Sequence, residues 1–142
     1  MEQFENQNRL NQFLSFMLIV TGTIGFITIG FLLWRGMILD GNLIILMMLV
    51  VLSLTGIVTG VSLWLKYYWS FTASFIYFSI QILSYESEGF SFSFYSGIKF
   101  LIITSLNNAK MAVNIFALLM LVIAFIARNI TRKNMLDVDA EL

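Results

Sequence analysis

The sequence predicts an all-α membrane protein, a four-helix antiparallel transmembrane bundle with an ordered outer loop between the third and fourth helices that has room for a small β-hairpin. Three observations lead there. Hydrophobic residues make up 59% of the 142-residue chain and charged residues 11%, against about 25% charged in soluble globular domains. Four stretches are long, apolar and free of charge, and short polar segments separate them. No proline occurs anywhere, so no helix is broken by a missing amide donor. The chain reads as one integral membrane domain, 1–142.

A helix needs roughly 20 mainly apolar residues to cross a hydrocarbon core about 30 Å thick. The first span covers about 13–34 and the second 43–65. Arg35, Gly36, Asp40 and Gly41 punctuate the few residues between them, which makes the pair a transmembrane hairpin. The apolar run of the first span exceeds the roughly 7–15 residues of a signal h-region, and its leader carries Glu2 and Glu5 against Arg9. It is expected to remain as an anchor. The third span, about 67–85, follows Lys66 directly and is rich in aromatics and hydroxyls. The fourth, about 110–128, lies between Lys110 and Arg128.

The ends of the chain carry less information. Phe4 to Asn11 reads equally as an interfacial helix or a polar tail. Residues 129–142 read as a cytoplasmic tail in which a basic cluster, Arg128, Arg132 and Lys133, precedes an acidic end. Basic residues near span ends set orientation. With the N-terminus inside, Arg9, Lys66, Arg128, Arg132 and Lys133 are cytoplasmic and only Arg35, Lys99 and Lys110 are outside. The expected location is therefore a membrane, crossed several times, with both termini cytoplasmic.

The outer loop, 86–109, is too long for a structureless connection, and its pattern changes period. Phe90, Phe92 and Phe94 alternate with serines, Ser96-Gly97 offers a turn, and Ile98, Phe100 and Ile102 alternate with Lys99 and Leu101. That is a hairpin signal. Two other readings stay open, an outward extension of the fourth helix over Ile98 to Leu106 and a re-entrant or interfacial segment.

Composition excludes several function classes. The net charge is zero, so the basic footprint of a nucleic-acid binder is missing and no nucleic-acid partner is expected. Without cysteine or histidine there is no thiol chemistry, no Cys or His metal site and no imidazole base. No carboxylate lies inside a span, whereas proton-coupled transport relies on an intramembrane acid or base. Glu86 and Glu88 at the outer mouth read as a solvated pair. No cofactor, metal or catalytic residue is expected, and the chain is read as not an enzyme.

Two constellations remain. Gly56 and Gly60 form a GxxxG on one face of the second span with Ser53 and Trp64, and the first span offers Thr21, Gly25 and Thr28. Small residues let backbones approach closely, so Gly56 and Gly60 are expected to pack on Thr21 and Gly25 within one chain, with homodimerisation as the alternative. In the third span, Ser70, Ser74, Tyr77, Gln81 and Ser84 recur at helical spacing and share a side. They read as interhelical contacts or as the lining of a solute path. Gln81 and Asn114 fall at matched depth on consecutive spans, so their amides are expected to meet.

The resulting expectation is a non-enzymatic accessory or interaction protein, of the immunity or complex-subunit kind. Its partners would be the lipid bilayer and another membrane protein or a second copy. The alternative is a passive channel, or a solute- or lipid-binding carrier lined by the third helix.

Overall fold

The computed structural model describes residues 8–35, 43–87, 90–93, 97–106 and 109–140. Expectations for the N-terminal leader up to residue 7, for most of the turn after the first helix and for the last two residues lie outside these. Helix α1 spans Arg9–Trp34. Asn8 caps it, its Oδ1 accepting from the Leu10 N–H at 3.4 Å, because the first-turn amides have no partner within the helix. The helix thus begins before the expected span and takes in Arg9 to Asn11. At 1.5 Å per residue its 26 residues reach about 39 Å.

Helix α2, Leu43–Trp64, returns antiparallel along α1. Ser15 meets Gly60 near one end, and Gly22 meets Ser53 and Ile57 further along. The end of α2 turns sharply at Lys66, which adopts φ 65°. Its N–H reaches the Leu63 carbonyl at 3.1 Å and the Tyr67 N–H reaches Ser62 at 2.9 Å. This is the Schellman pattern that consumes orphan carbonyls at a helix end, with a lysine where glycine is usual.

Helix α3, Trp69–Ile80, has only 12 residues, about 18 Å. The expected third span was to stay helical to 85, yet strand β1 begins at Leu83 (Leu83–Ser87). The fourth span was expected from 110, yet Ala109–Asn114 is strand β4 and helix α4 runs Ile115–Ala140. Residues 129–140, read as a tail, continue α4. Partners distant in sequence decide both junctions. β1 is flanked by two strands, β2 (Phe90–Ser93) and β4, and the Asn114 N–H donates to the Ile82 carbonyl at 2.7 Å.

The outer loop therefore does hold β-structure, in a different pairing from the one expected. The anticipated hairpin joined Phe90–Phe94 to Ile98–Ile102. Instead β2 folds back on β1, with Ser84 opposite Ser93, and β3 (Leu101–Leu106) pairs with β4, with Leu101 opposite Asn114. The sheet order is β2-β1-β4-β3, every neighbour antiparallel. A helical extension over Ile98 to Leu106 is overturned. Gly97, at φ +89°, lies between β2 and β3 against the Thr21 backbone, where any Cβ would collide.

Three helices are long and apolar enough to cross a membrane, over Arg9–Trp34, Leu46–Trp64 and Ile115–Leu136. The four helices touch in the cycle α1, α2, α3, α4, with α1 and α2 in the most extensive contact. The core between them holds Leu14, Leu18, Leu63, Phe71, Tyr77, Phe78 and Met120, with Ala117, Ala124 and Ala127 on the buried face of α4. Polar residues are also buried, including Asn11, Ser15, Thr21, Ser70 and Ser74, while Phe16, Ile27, Val58, Leu119 and Phe125 face outward. Apolar surface outside and small or polar residues at helix contacts is the distribution that hydrocarbon favours.

Candidate functional site

The α1–α2 seam is set by glycine and serine. Ser15 Oγ donates to the Gly60 carbonyl at 2.6 Å. A Cβ on Gly60 would stand 2.9 Å from the Ser15 oxygen and 2.7 Å from Ile19 Cγ1, and one on Gly22 would stand 2.6 Å from the Ser53 carbonyl. The expected docking on Thr21 and Gly25 is thus corrected. Gly60 packs on Ser15 and Ile19, Gly22 supplies the matching close approach, and Gly56 faces α3. A Cβ on Gly56 would meet the Tyr77 ring at 2.9 Å. Gly25 and Ser53 instead help line a small cleft of about 130 Å³ with Thr28, Gly97 and Lys99.

Tyr77 joins three helices. It is fully buried, with its ring in the space Gly56 leaves open and edge-on to Phe78 at 5.1 Å. Its hydroxyl donates to Thr21 Oγ1 at 3.2 Å, and Thr21 donates onward to the Met17 carbonyl at 2.8 Å. Of the expected polar stripe, Tyr77 makes this bond to another helix. Ser70 donates to the Tyr67 carbonyl, Ser74 to Ser70 at 2.7 Å, and Gln81 Nε2 to Tyr77 at 3.3 Å. These bonds return to the chain's own preceding turn, as serines inside helices commonly do. Ser70, Ser74 and Tyr77 are 0% exposed and Gln81 3%. The side of α3 opposite the stripe is not uniformly outward, since Phe71 and Phe78 are buried as well.

Gln81 and Asn114 lie next to each other at the α3–β1 and β4–α4 junctions, on either side of the Asn114–Ile82 backbone bond. Both are buried. The matched depth was legible, and each amide has a backbone partner of its own. Asn114 Oδ1 accepts from the Phe100 N–H at 3.2 Å, Asn114 Nδ2 meets no acceptor, and Gln81 nitrogen serves Tyr77. Asn114 ties the start of β3 to the start of α4.

A second buried amide went unnoticed in the sequence. Asn11, fully buried, donates through Nδ2 to Thr131 Oγ1 at 2.9 Å across 120 residues, while its Oδ1 has no partner. The signal was present, because Asn11, Leu14, Ser15, Leu18, Thr21, Gly22 and Gly25 follow a helical face. This bond sets the start of α1 beside the second half of α4. Arg128 stands nearby along α4, its Nε donating to the Tyr68 hydroxyl at 3.4 Å and its guanidinium 5.9 Å from the Phe75 ring centre. Arg9, Lys66 and Arg128 accordingly gather at one end of the helices, and Lys99 lies towards the other, beside Leu32 and Leu49.

No family model matches this chain, and the searches of curated proteins and of solved structures found no match. Function therefore rests on the residues themselves. Among the described residues no group of three His, Cys, Asp or Glu could hold a metal ion. A groove of about 460 Å³ lies between α2 and α3, lined by Met47, Met48, Val51, Thr55, Ile76 and Tyr77 among others. It shares Val51 and Thr55 with a second groove that runs on to Thr59, Trp69 and Ala73. Both are apolar and open outward. Of the polar stripe, Tyr77 lines the first, and Ser70, Ser74 and Gln81 line neither.

Proposed function

We propose that this chain is an integral membrane protein that works by contact, as an accessory or interaction subunit, with no catalytic step of its own. The observation that carries the reading is the burial of the α3 polar stripe. Its groups are spent on local carbonyls and on Thr21, and they are covered by neighbouring side chains. A solute path would need those groups facing water. The exposed surface is instead apolar over α1, α2 and α4, suited to lipid and to other membrane segments.

The proposed topology has four crossings, three by α1, α2 and α4. The third is composite. α3 contributes about 18 Å and β1, at about 3.4 Å per residue, contributes roughly 17 Å more. The Asn11–Thr131 bond, which sets the start of α1 beside the second half of α4, supports termini on one side, and Arg9, Lys66 and Arg128 at that end support a cytoplasmic one. Reporter fusions after Asn42 and after Leu142 are expected to report opposite sides, and matching reports would refute the topology.

The second reading, a lipid-binding carrier, is favoured by the apolar groove between α2 and α3. Reconstitution separates contact from passage. Proteoliposomes are expected to leak small polar solutes no faster than protein-free vesicles, and the protein from native membranes is expected to migrate in a complex of defined stoichiometry. Solute flux that Ser74→Leu abolishes would establish the channel. A stoichiometric extractable lipid with no protein complex would establish the carrier.

A further inference from the structure

From Ile115 to Ala127, α4 carries no charge. Arg128 is its first, and Arg132 follows one turn on. Helices α1, α2 and α3 contain no acidic residue, and α4 contains none before Asp137. Residues four apart on a helix stand about 5–6 Å apart on one face. The two arginines therefore issue from the same strip of α4 as Phe125 and Leu121.

Contacts with α3 already orient Arg128. Its Nε donates to the Tyr68 hydroxyl at 3.4 Å, and its guanidinium carbon lies 6.0 Å from the Tyr68 ring centre and 5.9 Å from that of Phe75. Phe75 in turn stands edge-on to Phe125, with ring centres 6.4 Å apart. Tyr68, Phe75 and Phe125 thus form an aromatic shelf across the α3–α4 seam, with the guanidinium at its end. The bond to Tyr68 engages one of the five N–H donors of the side chain and pins the guanidinium plane. Phe125 is 55% exposed and Arg132 is exposed as well, so shelf and charge both open outward from the bundle.

Paired cations at the end of an apolar shelf fit a ligand with two parts. One part is an anion that guanidinium groups grip in a fork, as they do phosphate. The other is an apolar tail that continues down the helices. A soluble anion or an acidic peptide would use the charges and leave the shelf idle. We infer that Arg128 and Arg132 bind the phosphate of an anionic phospholipid, whose acyl chain lies over Phe75 and Phe125 at the α3–α4 seam. A zwitterionic headgroup would bring its own cation into the field of two guanidinium groups, so charge complementarity favours an anionic one. The inference rests on the membrane reading above, which sets Arg128 at the level of the lipid headgroups. The site is separate from the grooves between α2 and α3. Tyr68 and Phe75 share one face of α3, whereas Trp69, Ala73, Ile76 and Ile80, which line the grooves, occupy another.

Native mass spectrometry tests the site on the full chain, purified in mild detergent, stripped of lipid and titrated with phosphatidylglycerol or phosphatidylcholine of the same acyl chains. Phosphatidylglycerol is expected to bind at one molecule per chain and more tightly than phosphatidylcholine, each arginine contributing about fivefold to the difference. Arg128→Gln and Arg132→Gln should each lower the phosphatidylglycerol affinity about fivefold and leave phosphatidylcholine unchanged. Arg35→Gln is the control at the far end of α1, where a guanidinium also lies over a ring, 4.5 Å from the centre of Phe31. It is expected to change neither affinity. Arg132 is exposed, so its variant decides the matter should Arg128→Gln fail to fold. A large excess of inorganic phosphate is expected to leave the lipid bound. Equal affinity for the two lipids, an unchanged preference in Arg132→Gln, or displacement by inorganic phosphate overturns the inference. Alkaline extraction of native membranes keeps the two claims apart. A chain that stays in the pellet but shows no lipid preference refutes only the site, and a chain released to the supernatant refutes the membrane reading itself.

Discussion

Gly60→Ala offers a quantitative test of the α1–α2 seam, with Gly30→Ala as its internal reference. Both replace a helical glycine, and each gains about 1 kcal/mol of helix propensity. At Gly30 nothing lies within 4 Å of the new methyl, so that gain is retained. At Gly60 the methyl would stand 2.9 Å from the Ser15 carbonyl oxygen and 3.0 Å from the Ile19 nitrogen. Ile19 Cγ1 can rotate away, but the two backbone atoms can yield only if the helices part. Separation also stretches the 2.6 Å bond from Ser15 to the Gly60 carbonyl. Overpacking costs typically 1–3 kcal/mol, and an interhelical hydrogen bond in a membrane averages about 0.6 kcal/mol. After the propensity gain, Gly60→Ala should be less stable than the unaltered chain by about 1–2 kcal/mol, and Gly30→Ala more stable by up to about 1 kcal/mol. The assay is reversible unfolding in mixed micelles at a dilution where the protein is monomeric, followed by tryptophan fluorescence. Equal stability of the two variants would refute the close approach. A loss seen only at concentrations that sustain dimers would move Gly60 from the intramolecular seam to an interface between copies.

Other substitutions test the remaining contacts. Asn11→Ala and Thr131→Val should be non-additive by about 0.6 kcal/mol and at most about 1.7 kcal/mol in a double-mutant cycle, and strict additivity would break the proposed tie between α1 and α4. Asn114→Ala strips the acceptor from the Phe100 N–H and should cost about 1–3 kcal/mol. Hydrogen exchange should show the Phe100 amide losing protection first, and unchanged protection there would mean another group holds the start of β3. Lys66→Gly removes the left-handed penalty of a side chain at φ 65° and should stabilise by about 1 kcal/mol. Gly97→Ala, at φ +89° against the Thr21 backbone, should destabilise by about 2 kcal/mol or more. If the two changes have the same sign, the backbone geometry assigned to one of these positions is wrong.

Hydrophobic runs and the small-residue pattern by themselves determined the apolar character of the chain, three of its long helices and the α1–α2 hairpin. These properties belong to local stretches, where twenty or so residues must satisfy their own backbone groups in an apolar medium. Burial of Ser70, Ser74, Tyr77 and Gln81 on one side of α3 was legible for the same reason, since helical spacing alone assigns a face. Partner choice was not. Gly56 and Gly60 lie one turn apart on α2, yet one meets Tyr77 of α3 and the other Ser15 of α1, because α2 is wedged between two helices and its small face is shared. Residues 81–87 and 109–114 carry enough apolar side chains to extend the neighbouring helices. Only the tertiary structure turned them into strands, because β1 and β4 find each other across a loop and β2 and β3 then complete the ladders. Pairing energy between segments so far apart leaves no periodic trace in either one. Asn11 and Thr131 make the same point at greater range, since a helix face can be read from its own residues but the side chain that will meet it cannot.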